Sequence, residues 1–566
     1  MACWHIGQGW LRRLASDADP TGAFARLYGD DPAAWAHRRR LWQEAVGLWT
    51  KAYGAQRPML LSRAPARLSL NPHSDHQGIY VLYACHQREV VIAAGRRDDG
   101  QVRLCHADPS YAEQVGFSLA DEAELDEGAW QSGWTDYIES PSVKAAVAAL
   151  RDPKGRDADR TGSANYVKAA MLRLAHRFPG RIGGLDLLLA GDIPPASGMS
   201  SSSAIVVATA LAALAAANIE LPPAELTELL GEAEWYVGTR GGSGDHSAML
   251  FGQLGQWTNI RFEPPLAVRD VRTAAWPEGY RLWLVNSGVR AEKSSAEKRL
   301  FNRGVFAYKF AFAELKDALE AHAPAWELDA ALVADTHRLA DFNVQRLPLH
   351  RLYDLLLELP LSAPLAELSE RYPEAFSAAA RSFFDTDDLA ELPDAVPLRG
   401  AAMYGLGRTD RGLVQDQLLA RGDAEAMIEF GRLMAITHDG DRLFRRLPDG
   451  GAVPYDGHDL TLSDDALRAL RDAAGTQPDL PMVQLREQAG FYGASIEPLD
   501  RLVDVALAQP GVLGAGLMGA GGGGVVLVMG DESVDEVQMA QQLTTEWPIA
   551  TVEPWLPAAG AAVVEL

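Results

Sequence analysis

Four consecutive serines follow a Pro-Pro pair and a Gly-Met pair in the stretch DIPPASGMSSSSA, residues 192–204. An apolar run typical of a buried strand precedes it, and an Ala-rich segment with high helix propensity follows. Free N–H groups and the positive dipole end at a helix start favour an anion such as a phosphate. Serine hydroxyls can also bind Mg²⁺ or cap the helix. The stretch therefore predicts either a phosphate-binding turn or a Ser-rich cap before a buried helix.

Two carboxylates stand in the stretch EAEWYVGTRGGSGDHSAM, residues 232–249. Glu234 is placed near the end of a predicted helix, and Asp245 follows a glycine-rich turn. Near a phosphate-binding turn, one carboxylate could hold Mg²⁺ while the other polarises a hydroxyl group. A plain glycine turn that happens to carry one aspartate is the alternative.

The stretch APARLSLNPHSDHQG, residues 64–78, places Arg67 at the end of a predicted strand and His73 and Asp75 in a turn. A fork-shaped donor, an imidazole and a carboxylate could all face a polyhydroxylated ligand, and Asp and His suit sugars because each can accept or share hydroxyl protons. His73, Asp75 and His76 could instead ligate a metal ion, as in a metal-dependent hydrolase. A purely structural turn is the third interpretation.

Glycines are dense in GAGLMGAGGGGVVLV, residues 514–528, just before an apolar strand. Such density permits close approach of the backbone to a ligand or to another segment. A strand follows where a dinucleotide-binding fingerprint requires a helix, so that function is not predicted. A tight structural turn remains the alternative.

Length and charge limit the possible classes of protein. A chain of 566 residues is longer than one hydrophobic core usually supports, so two or more lobes are expected. The net charge of −24 argues against a general nucleic-acid-binding or membrane-binding surface. Cys3, Cys85 and Cys105 lack paired spacing, which predicts neither disulfides nor a cysteine metal site. With no secretory signal or membrane span predicted, we expect a soluble, cytoplasmic protein.

The elements around these stretches follow from periodicity. Helical spacing predicts a helical segment over residues 1–57, and an insertion of helices and linker over about 355–400. Residues 88–107 read as a β-hairpin with its turn at Asp99-Gly100.

Together and in this order, the four stretches resemble the superfamily of galactokinase, homoserine kinase, mevalonate kinase and phosphomevalonate kinase (GHMP kinases). PPASGMSSSSA is similar to its Pro-x3-Gly-Leu-x-Ser-Ser-Ala motif, with Met199 in the Leu position. GAGLMGAGGGGVVLV is similar to its C-terminal glycine-rich motif. Within the superfamily, residues 285–303, 418–443 and 491–524 look most like galactokinases.

The resemblance implies an α+β, two-lobed GHMP kinase fold. We expect a helical N-terminal extension (1–57), an N-terminal lobe with a mixed sheet (58–280), and a ferredoxin-like C-terminal lobe (281–566) that contains the insertion. It also implies roles for single residues. Asp245 and Arg67 would be catalytic, and Ser202 and Glu234 would bind Mg²⁺. The substrate-binding residues would be Arg67, His73, Asp75, Gly242 and Asp245. The ATP-binding residues would be Pro195, Ala196, Ser197, Gly198, Met199, Ser200, Ser201, Ser202 and Ser203.

The expected activity is ATP-dependent phosphorylation of the anomeric (C1) hydroxyl of galactose or a related monosaccharide, with Mg²⁺ as cofactor and no nucleic-acid or membrane partner. The sugar motif departs from the galactokinase pattern Gly-Glu-His-Thr-Asp-Tyr-Asn-Gly, since Pro72 replaces the Glu that grips a sugar hydroxyl. Loss of such a hydrogen-bond partner changes the difference in binding free energy between two sugars by about 1–3 kcal/mol per group, and so changes which sugar is preferred. Two alternatives remain open: a sugar and nucleotide sensor without turnover, and the metal-dependent hydrolase described above.

Overall fold

The computed structural model describes residues 3–15, 19, 21–70, 78–111, 114–151, 158–238, 241–263, 266–290, 295–384, 386–447, 451–455 and 462–566. These residues form seventeen strands and twenty-one α-helices. The strands are β1 (His5–Ile6), β2 (Pro58–Ser69), β3 (Tyr80–Arg97), β4 (Gln101–His106), β5 (Val115–Ser118), β6 (Gly184–Gly191), β7 (Gln256–Glu263), β8 (Ala267–Ala275), β9 (Tyr280–Asn286), β10 (Ala363–Pro364), β11 (Ala395–Val396), β12 (Phe444–Arg446), β13 (Ala452–Pro454), β14 (Val512–Met518), β15 (Val525–Asp531), β16 (Thr551–Pro554) and β17 (Ala562–Val563).

The helices are α1 (Gly7–Leu14), α2 (Ala23–Tyr28), α3 (Pro32–Tyr53), α4 (Leu119–Glu124), α5 (Glu127–Ser132), α6 (Trp134–Glu139), α7 (Pro141–Arg151), α8 (Ala158–Arg177), α9 (Ser201–Ala217), α10 (Pro223–Glu234), α11 (Gly244–Phe251), α12 (Ser295–His322), α13 (Ala330–Ala334), α14 (Leu349–Glu358), α15 (Leu365–Arg371), α16 (Pro373–Phe384), α17 (Leu398–Arg421), α18 (Ala424–Asp441), α19 (Asp464–Thr476), α20 (Glu497–Leu507) and α21 (Glu536–Glu546).

A nine-stranded mixed sheet organises the first half of the chain, with the order β1-β2-β3-β6-β4-β5. β7 pairs with β3 and β8, and the terminal strand β17 pairs with β2. The hairpin predicted over residues 88–107 is wrong, because β6 lies between β3 and β4 and pairs with both. β6 is almost entirely apolar, and a strand of this kind is buried on both faces only in the interior of a sheet.

The two faces of this sheet bury different helices, because successive side chains of a strand point to opposite sides. On β2, Leu60 packs in the core that includes α8, α9 and α10, whereas Leu61 packs in a second core with α1, α2 and α3. The predicted N-terminal helical extension therefore forms, and it covers one face of the central strands. Asp31 caps α3 by accepting hydrogen bonds from Ala33 N and Ala34 N.

A four-stranded antiparallel sheet, β14-β15-β9-β16, organises the second half. Its core includes residues of α12, α17 and α20. The predicted insertion near 355–400 contains α15, α16 and the short β10–β11 pair. The two-lobed α+β architecture is thus confirmed, while the lobe boundaries at residues 58 and 281 stay a proposal. No helix in the described ranges is long and apolar enough to span a bilayer.

Candidate active site

The Ser-rich loop, residues 192–200, leaves β6 and leads into the N-terminus of α9. Ala196, Gly198 and Ser200 have positive φ angles of 52°, 78° and 60°. Two non-glycine residues in the left-handed region are costly and are found mostly at functional sites. The side chain of Met199 is buried in the hydrophobic core and anchors the loop there. Alternating left-handed residues are typical of concave anion-binding backbones, and here they lead into a helix N-terminus.

Arg67 joins this loop to the predicted catalytic carboxylate. It lies on β2, with only 7% of its side chain exposed. Its Nε donates to Asp245 Oδ1 at 2.5 Å, and its Nη1 donates to the backbone oxygen of Gly198 at 2.6 Å. The guanidinium therefore fixes the distance between the Ser-rich loop and Asp245 through two charge-assisted hydrogen bonds.

Asp245 lies in the first turn of α11, where the helix dipole favours a negative charge. Its second oxygen, Oδ2, accepts a hydrogen bond from Ser200 Oγ at 2.5 Å. One third of the Asp245 side chain remains exposed. The carboxylate is thus held at both oxygens and still reaches solvent, which is the arrangement expected of a group that orients a substrate hydroxyl.

Glu234, the last residue of α10, is nearly buried and lies beside the start of α9. Its Oε2 accepts a hydrogen bond from Ser203 Oγ at 2.7 Å. The Nε2 of His246, a residue of α11 that is 1% exposed, lies 3.0 Å from the same oxygen. A carboxylate and serine hydroxyls at a helix N-terminus are oxygen ligands of the kind that Mg²⁺ prefers.

A second glycine-rich segment closes the site from the other lobe. The Gly-rich loop, residues 519–524, joins β14 to β15. A Cβ atom on Gly524 would lie 2.5 Å from Ser197 O, and one on Gly519 would lie 2.9 Å from Gly198 O. Only glycine permits this approach, so the density of glycines here serves contact between two backbones.

The remaining predicted residues are those expected to bind the sugar or a metal ion. His73, Asp75 and His76 fall outside the described residues, so the sugar-binding role and the metal-ligand alternative stay predictions. Gly242 is half-buried, one residue before the N-cap of α11. In the part of the chain that the structure describes, no group of three or more His, Cys, Asp or Glu side chains could hold a metal ion.

Two protein-family models match parts of this chain. Residues 165–253 match the family model "GHMP kinases N terminal domain", and residues 466–549 match "GHMP kinases C terminal". The first match contains the Ser-rich loop, Glu234 and Asp245. The second contains the Gly-rich loop and β15.

The chain thus carries the N-terminal and C-terminal domains of GHMP kinases.

Within this superfamily the chain is similar to galactokinases. It is 25% identical over 261 residues to a Dictyostelium discoideum galactokinase, covering 45% of this chain and 46% of the relative. The chain thus spans about half the length of that relative. A Chloroflexus aggregans galactokinase is 25% identical over 521 residues, covering 90% of this chain and 94% of the relative. The structure of Lactococcus lactis galactokinase complexed with galactose superimposes with a TM-score of 0.55 at 18% identity, covering 91% of this chain and 98% of that chain, which supports the fold.

Three contacts of this GHMP kinase site were not anticipated from sequence. These are the bond between Ser200 and Asp245, the bond between Ser203 and Glu234, and the buried His246 beside Glu234. The run of four serines was a visible signal, but it did not reveal which hydroxyl reaches which carboxylate. The position of His246 directly after Asp245 on a short helix was a signal for its burial.

Proposed function

We propose that this GHMP kinase transfers the γ-phosphoryl group of ATP to the anomeric hydroxyl of galactose or a related monosaccharide. One observation carries the proposal: Arg67 bonds both Asp245 Oδ1 and the Gly198 carbonyl of the Ser-rich loop. A phosphate held on that loop and a hydroxyl held at Asp245 would therefore lie on either side of one guanidinium. Phosphoryl transfer depends mainly on such positioning and on neutralisation of charge.

The proposed reaction assigns a role to each of these groups. Asp245 accepts the proton of the sugar hydroxyl, the hydroxyl oxygen forms a bond to the γ-phosphorus, and the bond to the bridging oxygen of ADP breaks. Arg67, with its fixed positive charge, orients Asp245 and stabilises the charge on the transferred group. The first N–H groups of α9 bind phosphate oxygens.

Mg²⁺ fits the donors that are present. Glu234 supplies a carboxylate beside the start of α9, where the Ser203 hydroxyl donates to it and Ser202 is the neighbouring residue. Mg²⁺ is typically bound by one or two carboxylates together with substrate phosphates, so a larger cluster of acidic residues is not required. When bound, the ion would neutralise phosphate charge. Ser202 and Glu234 are the proposed ligands, with Ser203 orienting Glu234.

A sensor that binds sugar and nucleotide without turnover is the second candidate. The observation that favours it is that both oxygens of Asp245 already accept hydrogen bonds, from Arg67 and from Ser200. For catalysis, the substrate hydroxyl must bind a lone pair of Asp245 that these two donors leave free.

A screen of monosaccharides with Mg·ATP tests the proposal, with ADP release and calorimetric binding measured side by side. Galactose, L-arabinose, galacturonic acid and N-acetylgalactosamine belong in the panel, because Pro72 replaces the Glu of the galactokinase motif. The proposal expects ADP release that depends on one of these sugars. Binding of ATP and a sugar without ADP release would favour the sensor. Binding of neither ligand would overturn both.

A further inference from the structure

Asp192 lies at the start of the Ser-rich loop, directly after β6 and two residues before Pro194. Its backbone N–H donates to Glu89 O at 3.1 Å, and its Oδ1 accepts from Glu89 N at 2.8 Å. Its Oδ2 accepts from Arg38 Nη2 at 2.7 Å. The residue that begins the loop is therefore held by its backbone and by both oxygens of its side chain.

Arg38 belongs to α3, in the N-terminal helical layer, and is 154 residues away from Asp192 along the chain. It is only 5% exposed. Its Nη1 lies 3.9 Å from Oε1 of the fully buried Glu89. Burial by itself raises the pKa of Asp192, but the hydrogen bond and charge of Arg38, the N–H of Glu89 and the charge of Arg88 together outweigh it, so the pKa is lowered. A charge-assisted hydrogen bond in such surroundings is stronger than one on the surface.

Glu89 is in turn fixed by groups from three elements. Its carboxylate accepts from Tyr28 OH at 2.8 Å, from Trp42 Nε1 at 2.8 Å and from the Nε of the buried Arg63. Because the backbone of Glu89 holds Asp192, the rigidity of this buried cluster extends to the start of the Ser-rich loop.

Arg88 of β3 links Asp192 to the second lobe. Arg88 Nη1 donates to Asp192 O at 2.9 Å, and Arg88 Nε donates to Glu553 Oε1 at 2.9 Å. Glu553 lies on β16, the edge strand of the four-stranded sheet. Asp192 thus contacts the N-terminal layer through Arg38 and the central sheet through Glu89 and Arg88, and Arg88 connects it to the second lobe.

We propose that Arg38 and Asp192 are a positioning pair for the triphosphate, through which the N-terminal helical layer sets the conformation of the Ser-rich loop. Arg38 fixes the start of the loop at Asp192, just as Arg67 fixes its end at Gly198. Neither residue of the pair touches substrate in this proposal. The inference depends on the proposed function, since it takes the loop as the site that binds the phosphates of ATP.

Four single variants test this proposal: Arg38→Met, Arg38→Lys, Asp192→Asn and the control Arg39→Met. Arg39 is a second buried arginine of α3, and its guanidinium stacks 4.5 Å over the ring of Phe24. Calorimetry measures the Kd for Mg·ATP and for the sugar, and thermal unfolding is recorded for each variant. Hydrogen exchange at residues 193–200 without nucleotide reports the order of the loop.

Arg38→Met and Asp192→Asn should each weaken Mg·ATP binding about 10-fold or more, and leave sugar binding within about 2-fold. The double variant Arg38→Met/Asp192→Asn should bind Mg·ATP no more weakly than the weaker of its two single variants, because both changes remove the bond between Arg38 and Asp192. Arg38→Lys should recover part of the affinity, and Arg39→Met should leave it unchanged. Faster exchange at 193–200 should accompany the loss in Arg38→Met.

Either of two results would overturn the proposal. One is an Arg38→Met variant in which both the ATP affinity and the hydrogen exchange at residues 193–200 are unchanged. The other is an equal loss of ATP affinity in Arg39→Met. Asp192→Asn, which is nearly isosteric, keeps the test open if Arg38→Met does not fold. A wild-type protein that binds no ATP would instead defeat the proposed function. In that case the exchange at residues 193–200 still decides whether Arg38 orders the loop.

Discussion

Ser200 and Asp245 are joined by a hydrogen bond of 2.5 Å, from the serine hydroxyl to Oδ2 of the carboxylate. Ser200 occupies the N-cap position of α9 with a φ angle of 60°, and its side chain does not cap its own helix. The hydroxyl that would ordinarily cap α9 is directed to another helix, α11. The strained loop and the proposed catalytic carboxylate are therefore fixed to each other.

Removing this hydroxyl tests its contribution. Ser200→Ala should lower turnover about 10-fold with the fold intact, because a hydrogen bond to a charged group contributes about 1.5–3 kcal/mol. Steady-state ADP release measures the effect. Ser200→Gly also removes the hydroxyl but relieves the positive φ. An equal loss in both variants assigns the effect to the hydroxyl, and full activity in either variant would contradict its role.

The contact between the Ser-rich and Gly-rich loops predicts an unequal pair of glycine variants. Gly524 and Gly279 have φ angles of +88° and +84°, so Gly→Ala costs backbone strain at both. A Cβ on Gly279 meets nothing within 4 Å, whereas one on Gly524 would clash with Ser197 O. Gly279→Ala should cost about 1–2 kcal/mol in the free energy of unfolding. Gly524→Ala should cost more and should also weaken ATP binding. Urea unfolding and ATP titration check this, and equal effects in the two variants would contradict the interpretation.

Loss of the Glu234 carboxylate should raise the Mg²⁺ requirement. Glu234→Gln preserves volume, and its half-saturating Mg²⁺ concentration in the ADP-release assay should rise about 10-fold or more. Glu232→Gln is the matched control, since Glu232 lies on the same helix and pairs with Arg173 at 2.6 Å. A Mg²⁺ titration that is identical in both variants and in the wild type would remove Glu234 from the metal site.

Asp441 gives the protein a defined pH dependence of stability. Its complete burial raises its pKa to about 7, although the hydrogen bond from Tyr404 OH opposes the rise. Between the ordinary aspartate pKa, near 4, and about 7, the folded state binds this proton and the unfolded state does not. Stability should therefore fall as pH rises through this window, by up to about 1.4 kcal/mol per pH unit for the one proton.

Asp441→Asn should remove this contribution while keeping an oxygen for Tyr404. Chemical unfolding of both proteins at pH 5 and pH 8 measures it. The variant should gain stability relative to the wild type on going from pH 5 to pH 8. Because the comparison is a difference, groups such as His86, whose pKa burial lowers to about 4, cancel. A constant difference between the two proteins would contradict the assignment.

Local sequence signals were sufficient for the parts of the site that lie on one continuous stretch. The strand, turn and helix around the Ser-rich loop follow from apolar periodicity and from Gly198 with its neighbouring serines. Arg67 and Asp245 could be assigned from the family motifs, but the bond between them spans 178 residues and no periodicity predicts it.

The features that could not be predicted from the sequence depend on contacts between residues that are far apart along the chain. The predicted hairpin failed because strand partners depend on the whole sheet, in which β6 is inserted between β3 and β4. The bond between Arg38 and Asp192 could not be predicted for the same reason, since no residue near Arg38 in the sequence indicates which segment packs against α3. Likewise, the identity of the hydroxyl near Glu234 depends on the rotation of α9 relative to α10.

The identity of the product tests the central claim most directly. The wild type is incubated with Mg·ATP and the sugar that the screen selects, and ³¹P and ¹H NMR identify the carbon that carries the phosphate. We predict a sugar 1-phosphate formed in equal amount to ADP. Asp245→Asn, which retains shape but not charge, should form it about 10²–10⁴-fold more slowly while still binding both ligands. Phosphate on another carbon, no phosphosugar at all, or near-normal turnover in Asp245→Asn would contradict this account.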